Sequence, residues 1–142
     1  MRKKILLMSA AFLVVAAGVT AQQKKRLGSA PVAKATMVAG QLVYTQYCVS
    51  CHQADGGGVQ NMNPPLINTS YVNGDKAKLV SILLNGLAHE EIDGERYSNV
   101  MPSFNYLKDS QIADVLTYVR SSFGNKKSAV TAAAVKAGRN GK

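Results

Sequence analysis

The stretch Cys48-Val49-Ser50-Cys51-His52, near the middle of the chain, decides how the rest of the sequence is interpreted. Cysteines three positions apart lie on one side of a helical turn, and here a histidine follows the second cysteine directly. This pattern is the attachment signature of a c-type haem. Both sulfurs can reach the vinyl groups on one porphyrin edge, and the histidine can turn its imidazole to the iron. We therefore predict that Cys48 and Cys51 attach a haem covalently and that His52 is the proximal ligand.

Three other uses of the cysteine pair fit the sequence less well. A structural zinc site needs four nitrogen or sulfur ligands, and the other histidine, His89, lies 37 residues further on, outside zinc-finger spacing. A thioredoxin-like motif follows a strand in a βαβ unit, and no such unit is visible. A plain disulfide between Cys48 and Cys51 remains chemically feasible in an exported protein.

The sixth iron ligand must come from the other side of the porphyrin, in a segment well removed from His52. Met101 meets this condition, because it lies in an irregular segment between two predicted helices, where Pro102 restricts the backbone. Met62 is only ten residues from His52, where the chain should run along the proximal side. His89 stands among acidic residues, as a solvated loop histidine does. We favour Met101, although methionine is also a common filler of core gaps.

Outward from the motif, the hydrophobic pattern predicts three helices, at 37–47, at 76–87 and from a cap at Asp109 or Ser110 to Gly124. No alternating strand pattern of useful length is present, so the domain is predicted to be all-α. The two loops between the helices are each about 20 residues long, and such loops are usually functional or wrapped around something. Short helices alone bury a thin core. A large buried cofactor resolves both difficulties.

The N-terminal 21 residues predict a secretory signal peptide. A basic start, Met1-Arg2-Lys3-Lys4, precedes 15 apolar residues, and small residues lead to a predicted cleavage after Ala21. The apolar run is short for a spanning helix, which needs roughly 17–25 residues. An uncleaved N-terminal anchor is the alternative. Haem attachment of this kind follows export, so the signal and the motif agree.

The formal net charge of +9 is unevenly distributed. All eight acidic residues lie in 37–124, together with only five basic ones, so the predicted domain is acidic and its flanks are basic. A nucleic-acid binder is excluded, because no basic face is left in the domain. Electrostatic docking, including any peripheral membrane association, should be sought first in the basic flanks or in an uncleaved N-terminal segment.

Composition divides the chain into four parts. They are a signal peptide (1–21), a basic flexible linker (22–36), the haem domain (37–125) and a basic, Ala-rich tail (126–142). We expect the tail to be mostly disordered, with a short helix from Ser128 to Gly138 as the alternative.

Taken together, the sequence resembles a class I mono-haem cytochrome c over roughly Val38 to Asn125. Besides the haem motif, the resemblance rests on Gly40, Tyr44, Asn63-Pro64-Pro65-Leu66, Leu84-Asn85-Gly86-Leu87, Met101-Pro102-Ser103-Phe104 and Leu107 through Tyr118-Val119-Arg120. The resemblance implies a small cytochrome c fold, in which three main helices and long loops wrap around a covalently attached haem.

The resemblance also implies particular contacts. Gly40 and Tyr44 should lie where the N-terminal helix crosses the C-terminal one, against Tyr118. A backbone carbonyl near Pro64 should accept the Nδ1 proton of His52 and so fix the imidazole.

Met101 matches the axial methionine of the family. At His89 bacterial relatives often carry a small residue, which leaves an opening for alternative ligation.

Ligation by both His52 and Met101 leaves no iron position for a substrate, which favours one-electron transfer over catalysis. The soft thioether of methionine stabilises Fe(II) and raises the potential. The favoured function is a diffusible or loosely tethered electron carrier in the periplasm, with an oxidase, reductase or dehydrogenase as redox partner. The alternatives are a cytochrome c subunit of a larger respiratory oxidase or dehydrogenase, and an enzyme or sensor with a labile sixth ligand, such as a peroxidase.

Overall fold

Six helices and one short hairpin make up residues 32–141, the part of the chain that this computed structural model describes. The elements are α1 (Lys34–Tyr47), α2 (Val49–His52), α3 (Ser70–Asn73), α4 (Lys76–Asn85), β1 (Glu91–Ile92), β2 (Glu95–Arg96), α5 (Asp109–Ser121) and α6 (Ala132–Asn140). The two strands pair antiparallel. The predicted all-α fold with three main helices is confirmed, and α1, α4 and α5 are those helices. The expected signal peptide (1–21) lies outside the described residues, and so does most of the expected linker (22–36).

Helix α1 crosses α5 at Gly40. A Cβ atom on Gly40 would lie 2.6 Å from Tyr118 Cβ, so only glycine lets the two backbones come this close. The Tyr44 ring packs against Tyr118 and Phe123, with ring centroids 5.5 and 5.3 Å apart. Its hydroxyl donates to the carbonyl of Gln53 at 2.6 Å. The crossing expected for Gly40, Tyr44 and Tyr118 is therefore confirmed, and it ties α1 to the haem motif that follows.

The helix ends differ from the prediction by a few residues. Helix α1 begins at Lys34, inside the expected linker. Helix α5 has Lys108 as its N-cap, whose backbone N–H donates to Gln111 Oε1 at 3.0 Å, so neither Asp109 nor Ser110 caps it. Helix α5 ends at Ser121, three residues before the expected Gly124.

Residues 126–141 are folded, and the expectation of a mostly disordered tail is wrong. Helix α6 packs on α4 and α5, with Val135 fully buried. Gly138 allows the close approach, because a Cβ there would lie 2.7 Å from Val80 Cγ1. Arg139 donates from Nε to Asp109 Oδ1 at 2.6 Å. These contacts with the rest of the domain stabilise α6, whose own composition does not predict a stable helix.

Buried polar side chains on α5 and just beyond it fasten the neighbouring segments. Arg120 is 3% exposed and donates to the carbonyls of Val72 and Ser128 at 2.6 and 3.0 Å. Asn125 donates to the carbonyl of Leu66 at 2.8 Å. These bonds hold α3, the loop before it and the start of the tail against α5. Within residues 32–141, no helix is both long and apolar enough to cross a membrane.

Candidate haem site

An apolar inner cavity of about 90 Å³ opens into a cleft of about 340 Å³. Helices α1, α4 and α5 and the loop after α2 supply many of the apolar side chains that line the cavity. Residues lining both spaces are Tyr47, Cys48, His52, Pro64, Leu87, Ile92, Met101 and Phe104. The shared lining shows that the cavity and the cleft form one continuous space, which reaches from the core to the surface.

The haem motif folds as a helical turn at the end of α1. His52 N–H donates to the carbonyl of Cys48 at 2.9 Å, as the spacing predicts. The thiols of Cys48 and Cys51 are both free, and both residues line the cleft together with His52. Burial, and to a smaller extent the neighbouring Cys51, raises the pKa of the Cys48 thiol to about 11. The turn therefore presents two thiols and an imidazole to the same cleft.

His52 is held in one orientation by a main-chain acceptor. Its side chain is 8% exposed, and Nδ1 lies 2.9 Å from the carbonyl oxygen of Pro64. Since a carbonyl only accepts, Nδ1 carries the proton and the Nε2 lone pair is free to bind a metal. Burial lowers the pKa of His52, although the Pro64 hydrogen bond acts in the opposite direction. The expected contact with a carbonyl near Pro64 is confirmed. It orients the imidazole, while burial favours the neutral form.

Gly58 positions the Pro64 carbonyl, a role that the sequence reasoning missed. Gly58 has φ +69°, and a Cβ there would lie 2.7 Å from the Pro64 oxygen. Its N–H donates to the carbonyl of His52 at 3.1 Å. The available signal was the run of three glycines, Gly56-Gly57-Gly58, just after the motif.

Met101 is fastened to the end of α4 by its main chain. Its N–H donates to the carbonyl of Leu87 at 2.9 Å, and the Leu87 N–H donates back at 3.0 Å. Gly86, at φ +81°, permits this approach, because a Cβ there would lie 2.6 Å from the Met101 oxygen. Ser103 Oγ adds a bond to the carbonyl of Leu84 at 2.7 Å. A segment 49 residues from His52 is thereby fixed at the wall of the same space.

The other two candidate ligands differ in their position relative to the cavity and the cleft. Met62 is 46% exposed and lines neither the cavity nor the cleft. His89 is also exposed, but it lines the cleft near its mouth. The cleft thus brings together Cys48, Cys51, His52, Met101 and His89, and it leaves out Met62.

The residues around this space fit a covalently attached haem. Two thiols and an oriented imidazole come from one turn, a thioether comes from a distant segment, and apolar side chains line the inner cavity. The cleft has more polar side chains in its lining, among them Asn63, Asn99 and Glu90. Among residues 32–141, no group of three or more His, Cys, Asp and Glu side chains is arranged to hold a bare metal ion.

Comparison with known proteins agrees with this fit. Residues 37–123 match the family model for cytochrome c. Over 93 residues the chain is 37% identical to cytochrome c-552 of Thermus thermophilus, an alignment that covers 62% of this chain and 70% of that protein.

Cytochrome subunits of dehydrogenases are also similar. The chain is 35% identical over 99 residues to the cytochrome c subunit of a quinone alcohol dehydrogenase from Gluconacetobacter polyoxogenes, and 34% identical over 97 residues to the gluconate 2-dehydrogenase cytochrome c subunit of Pantoea cypripedii. These alignments cover 68% and 66% of this chain, but only 21% and 22% of those proteins. The chain therefore belongs to the cytochrome c family and is an electron-transfer protein with covalently bound haem c.

Proposed function

We propose that Cys48 and Cys51 bind the haem through thioether bonds and that His52 and Met101 are the axial ligands of its iron. The observation that carries this proposal is that these four residues, from two distant segments, line one continuous space. The bound haem supplies the Fe(II)/Fe(III) couple. With both axial positions taken by the protein, no position is left for a substrate, which supports one-electron transfer.

Residues of the protein adjust the reduction potential of this couple in three ways. The Pro64 carbonyl holds the Nδ1 proton of His52, which fixes the tautomer and increases the basicity of the imidazole. The thioether of Met101 favours Fe(II) and so raises the potential. The apolar cavity walls exclude water, which disfavours the more highly charged oxidised state.

Visible spectra of the holoprotein in both redox states test the ligand assignment. Met101→Ala should lose the weak far-red band that arises from sulfur bound to ferric iron. Met62→Ala is the matched control and should keep it, because Met62 lies outside the cavity and the cleft. Loss of the band in the Met62 variant, or its survival in the Met101 variant, contradicts the assignment. Covalent attachment is contradicted if acid acetone extracts the pigment.

The role that we favour is that of a diffusible or loosely tethered carrier, which exchanges electrons with a separate oxidase, reductase or dehydrogenase. The similarity to cytochrome c-552, whose name does not describe it as a subunit, supports this role. The names of the similar dehydrogenase subunits favour the second candidate, a cytochrome subunit of a larger dehydrogenase or oxidase. Purification at native expression distinguishes the two, since a lone red protein contradicts the subunit role.

For location, we propose export to the periplasm, with cleavage after Ala21 and a basic linker that ends before helix α1 at Lys34. Exposed lysines at 126, 127 and 136, together with the basic linker, would support peripheral binding to an anionic membrane surface. N-terminal sequencing of the mature protein tests the cleavage. Flotation with phosphatidylglycerol vesicles tests the membrane contact, which should weaken when the three lysines are replaced by glutamine. Equal flotation of both proteins contradicts a role for these lysines.

A further inference from the structure

One imidazole at the cleft has no role in the proposed function. His89 lines the cleft together with His52 and Met101. Its side chain is exposed, and within the described residues it makes no hydrogen bond or ion pair. Lysine is absent from the described lining of both the cavity and the cleft. His89 is therefore the strong nitrogen donor for iron that remains beside this site once His52 is used.

Within residues 32–141, the backbone around His89 has no main-chain hydrogen bonds of its own and adjoins Leu87, the hydrogen-bond partner of Met101. In the described part of the chain, residues 88–90 make no main-chain hydrogen bond, and His89 has the left-handed φ of +57°. Two residues earlier, Leu87 exchanges two main-chain hydrogen bonds with Met101. A movement of this segment can therefore bring His89 inward without breaking bonds of its own, while displacing the Met101 segment.

The two donors prefer different oxidation states of iron. The soft thioether of methionine stabilises Fe(II), whereas the harder imidazole nitrogen binds Fe(III) comparatively better. We propose that His89 replaces Met101 as the distal iron ligand in a minor conformer of the oxidised protein, an inference that rests on the proposed ligation by Met101. In the exchange the iron–sulfur bond breaks and a bond to a neutral imidazole nitrogen forms. No electron or proton is transferred in this step.

Spectra of oxidised holoprotein variants test the exchange. Met101→Ala should be six-coordinate and low-spin by electron paramagnetic resonance, with two nitrogen ligands. The double variant with His89→Asn should be high-spin, because asparagine tolerates the left-handed backbone but lacks the imidazole. Added free imidazole should bind the double variant at least about tenfold more tightly than Met101→Ala, since it no longer competes with His89.

The outcomes separate this inference from the proposed ligation. A high-spin Met101→Ala protein whose imidazole affinity equals that of the double variant overturns the exchange and leaves ligation by Met101 intact. A Met101→Ala spectrum identical to that of the wild type overturns both.

Warming provides a test without removal of Met101. Oxidised wild type should lose the far-red band while it stays low-spin, whereas His89→Asn should become high-spin. Identical behaviour of the two proteins on warming overturns the exchange.

Discussion

At the scale of single residues, Gly40 is the position where an added methyl group should be felt most. Gly40→Ala would place a Cβ 2.6 Å from Tyr118 Cβ, so α1 and α5 would have to separate. Overpacking of this kind costs about 1–3 kcal/mol. Guanidinium unfolding of the holoprotein should show this loss. Gln41→Ala, on the exposed side of the same helix, is the control, and an equal effect of the two changes would contradict the crossing.

Arg120 is a second sensitive residue, because all the hydrogen bonds of its buried guanidinium go to carbonyl oxygens, and Asp75 stabilises its charge from a longer distance. It donates to the oxygens of Val72, Gly74 and Ser128, and within residues 32–141 no carboxylate lies within ion-pair distance of it. Lysine cannot reproduce the planar fork that bridges these acceptors. We expect Arg120→Lys to lower the free energy of unfolding by about 2 kcal/mol, through lost charge-assisted hydrogen bonds.

The control for this change is Arg96→Lys. Arg96 is highly exposed and pairs with Glu91 at 3.6 Å, so its replacement should alter stability by no more than about 0.5 kcal/mol. Thermal unfolding of both variants, followed by the haem absorbance, makes the comparison. If Arg120→Lys is as mild as the control, the buried carbonyl bonds do not matter for stability.

These residues also show which parts of the site can be predicted from sequence. The roles of Cys48, Cys51 and His52 can be predicted from their spacing, because all three belong to one helical turn. Gly58 and Gly86 act through carbonyls several residues or a whole segment away, and nothing local in the sequence indicates those distances. The orientation and hydrogen bonding of a ligand depend on such contacts between residues distant in sequence. These contacts can be identified only from the folded structure.

At the scale of elements, α6 is the helix that the sequence analysis did not favour. Its single buried apolar side chain, Val135, leaves no apolar stripe at helical spacing. The two strands of the hairpin have two residues each, too few to show alternation. Both elements are held by contacts with other parts of the chain, whereas α4 and α5 carry their own capping and apolar pattern and were predicted.

Replacement of Val135 by alanine measures what α6 contributes. The change removes two methyl groups from a fully buried site and should cost about 2 kcal/mol, from lost burial and the cavity left behind. Val38→Ala in α1, where the side chain is 50% exposed, is the matched control and should cost much less. Chemical unfolding of both holoproteins checks this. If Val135→Ala left the free energy of unfolding unchanged, the packing of α6 on the domain would be contradicted.

At the scale of the whole molecule, the basic tail and the cleft lie on different parts of the fold. Helix α4 turns Leu79 and Leu83 to the inner cavity and Val80 to α6, so α6 lies on another face of α4 than the cavity. None of residues 126–141, the described part of the tail, lines the cavity or the cleft. Glu90 is the acidic residue of the cleft lining, and Glu91 and Glu95 follow it in the hairpin. We call these three glutamates the acidic rim, and Arg96 of the same hairpin pairs with Glu91. We expect a redox partner at the cleft to meet a locally acidic surface, although the net charge of the chain is +9.

This separation changes where electrostatic docking is expected. The sequence alone directs the search to the basic flanks, and deletion of residues 126–142 is the obvious test. In the folded protein that deletion would also remove Val130, Val135 and Arg139 from their packing. Replacement of exposed lysines by glutamine changes the charge without this structural cost, so it is the better comparison.

Small inorganic oxidants can measure the local charge at the cleft without a biological partner. Their electron transfer with the reduced holoprotein depends on the charge near the point of contact, because salt at 0.1 M screens charges beyond about 10 Å. For hexacyanoferrate(III), an anion, we expect the rate to rise with ionic strength, since salt weakens its repulsion by the acidic rim. For a cationic cobalt(III) phenanthroline complex, we expect the rate to fall.

Two triple variants assign this dependence to one face. Replacement of Glu90, Glu91 and Glu95 by glutamine should flatten the ionic-strength dependence for both oxidants, because it removes the acidic rim. Replacement of the exposed lysines at 126, 127 and 136 should leave it unchanged. A hexacyanoferrate rate that falls with ionic strength, and that is flattened by the lysine variant instead, would show that the overall positive charge controls the encounter. In that case the basic face and not the cleft rim would guide the partner.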